Sequence, residues 1–375
     1  MVGKIIGIDA SRNRSGGAVA HMVGILCEGD PKKYGIKHVH FWANKALMKK
    51  IPDFPWLSKH ISPILEKSIV HQLLWQYFIL PRIIKRKNCD VLFNTDAGSV
   101  CPFVPCITLS QDLLSFEPNE MKRYGLSKER LRLELLRLMQ SRSLTRSSIA
   151  VFLTDYAKNT IQKTIGVQRS VVIAHGVGAE FHGNSDKNTH SVDQKKRMRC
   201  IYISNAALYK HQWHVMHGVE IVRNMGNDLT LLLVGGGAGR AQKKLEHQLR
   251  IIDPHNKFIK QIPFVPHENI PELLAGADIF IFASSCESLP ITLLEAMASG
   301  LPIVCSDRGP MPEVLQDGGI YFDPENPASI ARAITTIVSD SALRKKIASR
   351  AKALSEKYTW KKCAAETWAV LSQVS

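Results

Sequence analysis

Apolar and polar positions alternate along this chain in two registers. Short runs of β-branched and large apolar residues, bounded by glycine, proline or asparagine, read as buried strands. In the first half these are Ile5–Ile8, His38–Phe41, Val91–Phe93, Cys106–Leu109, Ile149–Leu153 and Val171–Ile173. Between them lie longer stretches with helical spacing, Ala18–Leu26 and Leu126–Ser141, and an apolar segment from Ser58 to Lys87 that ends in Lys85-Arg86-Lys87. From His182 to Arg199 large apolar residues become scarce and charged ones frequent, which reads as a linker. A second series of strands then begins, Cys200–Ile203, Leu229–Val234, Ala277–Ala283 and Ile303–Cys305, again separated by helical stretches. Strands alternating with helices in both halves predict an α/β protein with two Rossmann-like domains.

One junction in the second half carries chemistry. After the strand at 277–283, the chain reads Ser285-Cys286-Glu287-Ser288-Leu289-Pro290-Ile291-Thr292-Leu293-Leu294-Glu295-Ala296-Met297-Ala298-Ser299-Gly300-Leu301-Pro302. Pro290 suits the first turn of a helix, where a missing N–H costs nothing. Gly300 suits a left-handed end to that helix, and Pro302 discourages its continuation. Glu287 then lies on the turn above the sheet and Glu295 about two helical turns further on. Helix-start amides between them form an anion site, and carboxylates on either side can accept from hydroxyls. An anion flanked by hydroxyls describes a sugar nucleotide.

Glu287-x7-Glu295, followed by Ala-Met-Ala-Ser-Gly-Leu-Pro-Ile-Val, resembles the donor-binding motif of retaining glycosyltransferases of family 4 (glycosyl transferases group 1). The resemblance implies the GT-B fold, with two Rossmann-like domains facing across a cleft. It places an acceptor domain at 1–182, a nucleotide-sugar donor domain at 200–356, and a last helix, 357–375, crossing back to the first domain. It implies transfer of a hexose from a nucleotide diphosphate to a hydroxyl of a glycan or lipid-linked acceptor with retention, by front-face attack in which the leaving phosphate takes the acceptor's proton. A role in surface polysaccharide biosynthesis follows by analogy alone.

The resemblance assigns further residues. Glu287 sits by the donor hexose and Glu295 binds the ribose. Gly16 and Gly17, on the turn after the first strand, let backbone approach the diphosphate. Lys210 matches the lysine that clamps the diphosphate. The family's partner arginine falls on Ser204 or Asn205 and is missing here; Asn205 can donate a hydrogen bond without a charge, and Arg240 is a candidate substitute. Val265 matches the segment lying along the base. Leu289, Ile291 and Thr292 are left to supply amides, since Pro290 has none. In Ser110-Gln111-Asp112-Leu113, relatives often carry histidine where Gln111 stands; Asp112 either orients or deprotonates an acceptor hydroxyl, a catalytic candidate beside Glu287, or caps a helix.

Other readings are narrower. The 375-residue length favours two domains. The eight cysteines form no C-x-x-C pair and fit core positions in a reducing compartment. The first residues run straight into a strand, and no apolar run is long enough to span a membrane, so a cytoplasmic location is expected, peripheral on the inner membrane face at most. Net charge is +16, and residues 1–180 hold 26 Lys/Arg against 14 Asp/Glu. That basic half suits an anionic partner such as a membrane surface, with no nucleic acid expected. Basic, apolar helical stretches at His71–Lys87 and Leu126–Arg146 either dock on anionic lipid or pack on the first sheet. His211, His214 and His217 lack accompanying carboxylates at ligand spacing, so no metal and no cofactor are expected. Gly235-Gly236-Gly237 lacks the glycine pattern of a dinucleotide fingerprint. A sugar-nucleotide 2-epimerase of similar shape and a basic nucleic-acid-binding protein remain the alternatives.

Overall fold

The computed structural model describes residues 3–14, 16–182 and 197–374. Contacts divide the chain into two units, Met1–Gly176 with Tyr358–Ser375, and Val177–Lys357. The chain thus leaves the first unit at Gly176, ahead of the residue-182 boundary expected from sequence. Most of the expected linker, 183–196, lies outside the described residues.

The first unit holds a seven-stranded sheet: β1 (Lys4–Ala10), β2 (Ile36–Ala43), β3 (Leu57–His60), β4 (Val91–Asn94), β5 (Cys106–Leu109), β6 (Ile149–Phe152) and β7 (Ser170–Val172). Their spatial order is β3-β2-β1-β4-β5-β6-β7, with every pair parallel. The central strands read as unbroken apolar runs because helices cover both faces. β1 lies where the order reverses, so the crevice at the carboxyl ends of β1 and β4 is the switch point where such sheets bind ligands.

The segment 58–87 resolves into more pieces than its apolar run suggested. β3 is followed by a helix whose turns change character: α over Ile69–Leu74, π over Trp75–Ile79, α again over Leu80–Arg86. Pro81 explains the wide turn, since its ring excludes a normal bond to the carbonyl four residues back. Arg82 donates through Nη1 to the Phe78 carbonyl at 2.9 Å. The turn buries Trp75 with Trp42, Leu65, Leu80 and Ile84.

The helix Trp360–Gln373 belongs to the first unit. Trp368 is fully buried and donates Nε1–H to the Ile25 carbonyl at 3.2 Å. Trp360 packs so closely that a Cβ on Gly24 would lie 2.2 Å from its ring, and one on Gly176 would lie 2.1 Å from its backbone nitrogen. Glycine is required at both places by close approach.

The second unit holds a six-stranded parallel sheet, β8 (Met198–Ile203), β9 (Leu229–Val234), β10 (Ile259–Ile262), β11 (Ile279–Phe282), β12 (Ile303–Ser306) and β13 (Ile320–Phe322). The order is β10-β9-β8-β11-β12-β13. Its reversal falls between β8 and β11, and the loops leaving those two strands carry the candidate site.

Candidate functional site

The loops after β8 and β11 are stitched to each other. Ser285 donates its amide to the Tyr209 carbonyl at 2.8 Å, and Nε2 of His211 lies 2.8 Å from the Ser285 hydroxyl. Below them the Tyr202 hydroxyl donates to the Lys210 carbonyl at 2.7 Å. His211 takes a left-handed conformation, φ +50°, and turns the chain into the helix Gln212–Asn224. These bonds aim Lys210 at Glu287. Its ammonium donates to Oε1 of Glu287, and the two side chains are only 10% and 16% exposed. The ammonium also faces the rings of Tyr209 and Phe282, at 5.2 and 5.7 Å from their centroids.

Four residues past Glu287 the chain enters the helix Ile291–Ala298. Pro290 stands at its N-cap rather than inside its first turn as expected, and its own side chain makes no capping bond. The amides of Leu293 and Leu294 both bond to the Pro290 carbonyl at 3.1 Å. Those of Ile291 and Thr292, half-buried residues ahead of them, open the positive end of the helix. Leu289 is buried beneath this turn. Gly300 ends the helix with φ +70°, as its position in the sequence suggests.

Glu295 points inward from the same helix, with its side chain 4% exposed, and Nε2 of His267 lies 2.7 Å from its Oε1. Burial pushes the Glu295 carboxyl above its ordinary range, the His267 hydrogen bond pulls it back, and Glu180 adds a further upward push. The ring of Phe181 lies 5.4 Å from that of His267. Val265 is half-buried, two residues before His267 and beside exposed Phe264. His267, Glu180 and Phe181 escaped the sequence reading. They come from unrelated loops, and only the folded chain sets them at Glu295.

Where the family arginine is missing, Ser204 is buried and its hydroxyl and carbonyl accept from Gln212 Nε2 at 3.1 and 3.2 Å. Asn205 is exposed, as is Arg240 at the start of the helix Arg240–Ile252. The glycines 235–237 serve close packing between loops: Gly235 has φ +112°, a Cβ on it would lie 2.3 Å from the Ser204 carbonyl oxygen, and Gly236 accepts from the Ala206 amide at 3.1 Å. His211, His214 and His217 point to separate partners, namely Ser285, the Pro324 carbonyl, and Glu220 with Gln248. Among the described residues no group of three potential ligands is placed to hold a metal.

The first unit carries its own polar cluster at the carboxyl end of β1. Asp9 is buried; it accepts from Gln76 Nε2 at 2.6 Å and from the Ser11 amide at 3.1 Å. Burial raises its carboxyl, and these bonds lower it. Gly16 opens the helix Gly16–Cys27 with φ +60° and free space where a side chain would stand; Gly17 follows in its first turn. Gln111 donates to the Thr95 carbonyl at 2.8 Å. Asp112 is exposed and accepts from the Leu114 amide at 3.0 Å; it stands one residue ahead of Leu113, the N-cap of the 3-10 turn Leu114–Phe116.

Residues 185–354 match the family model described as glycosyl transferases group 1. A curated relative, the O-antigen chain mannosyltransferase B of Escherichia coli, is 33% identical over 110 residues, 29% of each chain. A D-inositol 3-phosphate glycosyltransferase of Streptomyces bingchenggensis is 29% identical over 157 residues, 41% of this chain and 34% of that one. The matched segments thus span about a third of the length of these curated relatives. Among solved structures, HepE of Anabaena in complex with UDP and glucose superposes with a TM-score of 0.73 at 18% identity, covering 99% of this chain and 100% of that one. WaaG, a glycosyltransferase involved in lipopolysaccharide biosynthesis, gives 0.69 at 14% identity over 98% and 99%. The fold is GT-B.

Proposed function

We propose that this chain, whose second unit matches the group 1 glycosyl transferases, is a retaining hexosyltransferase. It moves a hexose from a nucleotide diphosphate to a hydroxyl of a glycan or lipid-linked acceptor. The observation that carries the reading is the Lys210–Glu287 pair just ahead of the start of the helix Ile291–Ala298. A leaving nucleoside diphosphate gains negative charge as the glycosidic bond breaks. Lys210 and the amides of Ile291 and Thr292 are donors fixed in advance where that charge develops. Glu287, held by Lys210, faces the hexose, and Glu295 takes the ribose hydroxyls. In front-face attack the phosphate oxygen released from the sugar accepts the proton of the acceptor hydroxyl. No protein nucleophile is then needed, which suits Asp112 in a structural or orienting role. The reaction needs no resident metal, so activity is expected to survive a chelator. The likeness to an O-antigen chain mannosyltransferase supports a setting in surface polysaccharide synthesis.

The test is a thermal-shift screen with UDP, GDP, dTDP, ADP and CMP. A ligand at a hundred times its dissociation constant stabilises by about 2.7 kcal/mol. A shift with one nucleoside diphosphate that is lost in Lys210→Ala is the expected result. No shift with any of them overturns the reading.

A further inference from the structure

The helix that runs from Ile69 to Arg86 is built unlike a surface helix of a soluble domain. Ile69, Val70, Leu74, Tyr77, Phe78 and Ile79 are all exposed, from 39% to 59%. They are six of the fifteen large apolar side chains exposed among the described residues, gathered in eleven positions. The π turn produces part of this. By burying Trp75 and Gln76 together, it delivers Tyr77, Phe78 and Ile79 to the outside in succession. Tyr77 and Phe78 stack edge to face, centroids 4.8 Å apart.

The polar part of the helix follows along its axis instead of around it. Arg82, Lys85, Arg86 and Lys87 are exposed in the last turns, and Lys67 is exposed just before the first. From Lys67 to Cys89 there is no aspartate or glutamate. None of these five cations forms an ion pair among the described residues. An apolar half about 15 Å long is therefore followed by a cluster of unneutralised positive charge. A protein partner would have to match both halves. A bilayer with anionic headgroups matches them by its own layering: acyl chains take the apolar side chains, and phosphates take the cations. The leucine stripe Leu131, Leu135 and Leu138 on the helix Lys128–Arg146 is exposed too, but Glu129 and Glu134 lie among its cations, and Arg130 is bonded to Glu134 at 2.7 Å.

We infer that the first unit docks on an anionic membrane surface through the helix Ile69–Arg86, with Tyr77 and Phe78 as its apolar anchors and Arg82 to Lys87 as its headgroup contacts. This stands independently of the proposed reaction. It has one consequence for it: Gln76, on the same π turn, holds the buried Asp9 carboxylate at the carboxyl end of β1, so the membrane-facing turn and the polar cluster of the first unit share one structural element.

The experiment is flotation of the full chain with vesicles of phosphatidylcholine alone and of phosphatidylcholine with phosphatidylglycerol, at low and high salt. Three variants accompany it: Tyr77→Ser with Phe78→Ser, Lys85→Glu with Arg86→Glu, and Leu131→Ser with Leu135→Ser and Leu138→Ser. All the substituted positions are exposed, and circular dichroism checks that each variant folds. Binding is expected to anionic vesicles only, to weaken with salt, and to fall at least about ten-fold in each of the first two variants while the third keeps it. Binding that follows the third variant alone, binding equal on neutral vesicles, or no binding at all overturns the proposal. So does a dimer that the first variant dissociates on gel filtration, because the apolar patch would then belong to a second copy.

Discussion

Oε1 of Glu295 lies 2.7 Å from Nε2 of His267, yet the carboxylate side chain is 4% exposed and the imidazole 58%. A buried acceptor is thus covered by a ring that solvent can reach. Under the proposed role of Glu295 in holding the ribose, His267 stands in the free protein where the ribose hydroxyl would donate. Replacing His267 by alanine leaves Glu295 buried without that donor, which costs about 1–3 kcal/mol. The variant is expected to melt lower alone but to gain a larger shift from its nucleoside diphosphate, since the ribose then supplies the missing bond. Loss of the nucleotide shift would show instead that His267 itself grips the ligand.

Glu295→Gln separates charge from hydrogen bonding. Burial raises the folded carboxyl above its ordinary 4.5, so ionising it costs the folded state stability. That cost is absent below pH 4.5, grows as pH rises through the folded value, and is constant above it. The glutamine variant should therefore melt higher than the parent at neutral pH, with the difference vanishing in acid. Its nucleotide affinity should fall about ten-fold or more, because hydrogen bonds to a charged group are the stronger ones. Calorimetry across pH with and without nucleotide checks both signs.

Lys210→Ala strands Glu287 in a site where it is 16% exposed, and Glu287→Ala strands Lys210. Each single variant is expected to lose about 3 kcal/mol of stability, and the double variant less than the sum. Activity should behave differently. Losing the cation proposed to face the diphosphate should lower kcat about 10²- to 10³-fold even in the double variant. Equal kcat in Lys210→Ala and parent would remove the lysine from the transition state.

All eight cysteines are free and only Cys27 is exposed. Burial pushes the thiols of Cys89, Cys101, Cys200 and Cys363 up to about 12. A thiol reagent should label one residue quickly in the native protein and the remainder only after denaturant. Two fast thiols would mean that a buried strand or helix opens readily.

The inner strands were legible because both faces of each sheet are covered there, so each is a largely apolar run; Val91–Asn94 and Ile279–Phe282 are buried along their whole length, whereas the edge strands β3 (Leu-Ser-Lys-His) and β10 (Ile-Lys-Gln-Ile) carry polar residues and no such run marks them. The Glu287-to-Glu295 spacing was legible because a turn and a helix fix it locally. The helix Ile69–Arg86 was not, because a π turn placed by Pro81 breaks the 3.6-residue period on which recognition depends. The His267 contact was hidden for another reason. It joins residues 28 positions apart, one on the 3-10 turn His267–Asn269 and one inside the helix Ile291–Ala298, and no local pattern marks such a pairing.

Gly176 offers the sharpest test of how the last helix is held to the first unit. A Cβ there would meet Trp360 N at 2.1 Å, the Thr359 carbonyl carbon at 2.5 Å and Trp360 Cα at 2.6 Å. All three are backbone atoms, so no side-chain rotation can make room. Trp360 also packs against Gly24 and lies 5.6 Å, centroid to centroid, from His175. Moving it disturbs a buried stack in which His21 and His175 lie 4.6 Å apart. Overpacking a core by a methyl group that side chains can absorb costs about 1–3 kcal/mol. Gly176→Ala should exceed that and lower the melting temperature, whereas Gly166→Ala, with nothing within 4 Å, should not. If the two variants melt alike, the helix Trp360–Gln373 is not fixed to the first unit through this contact.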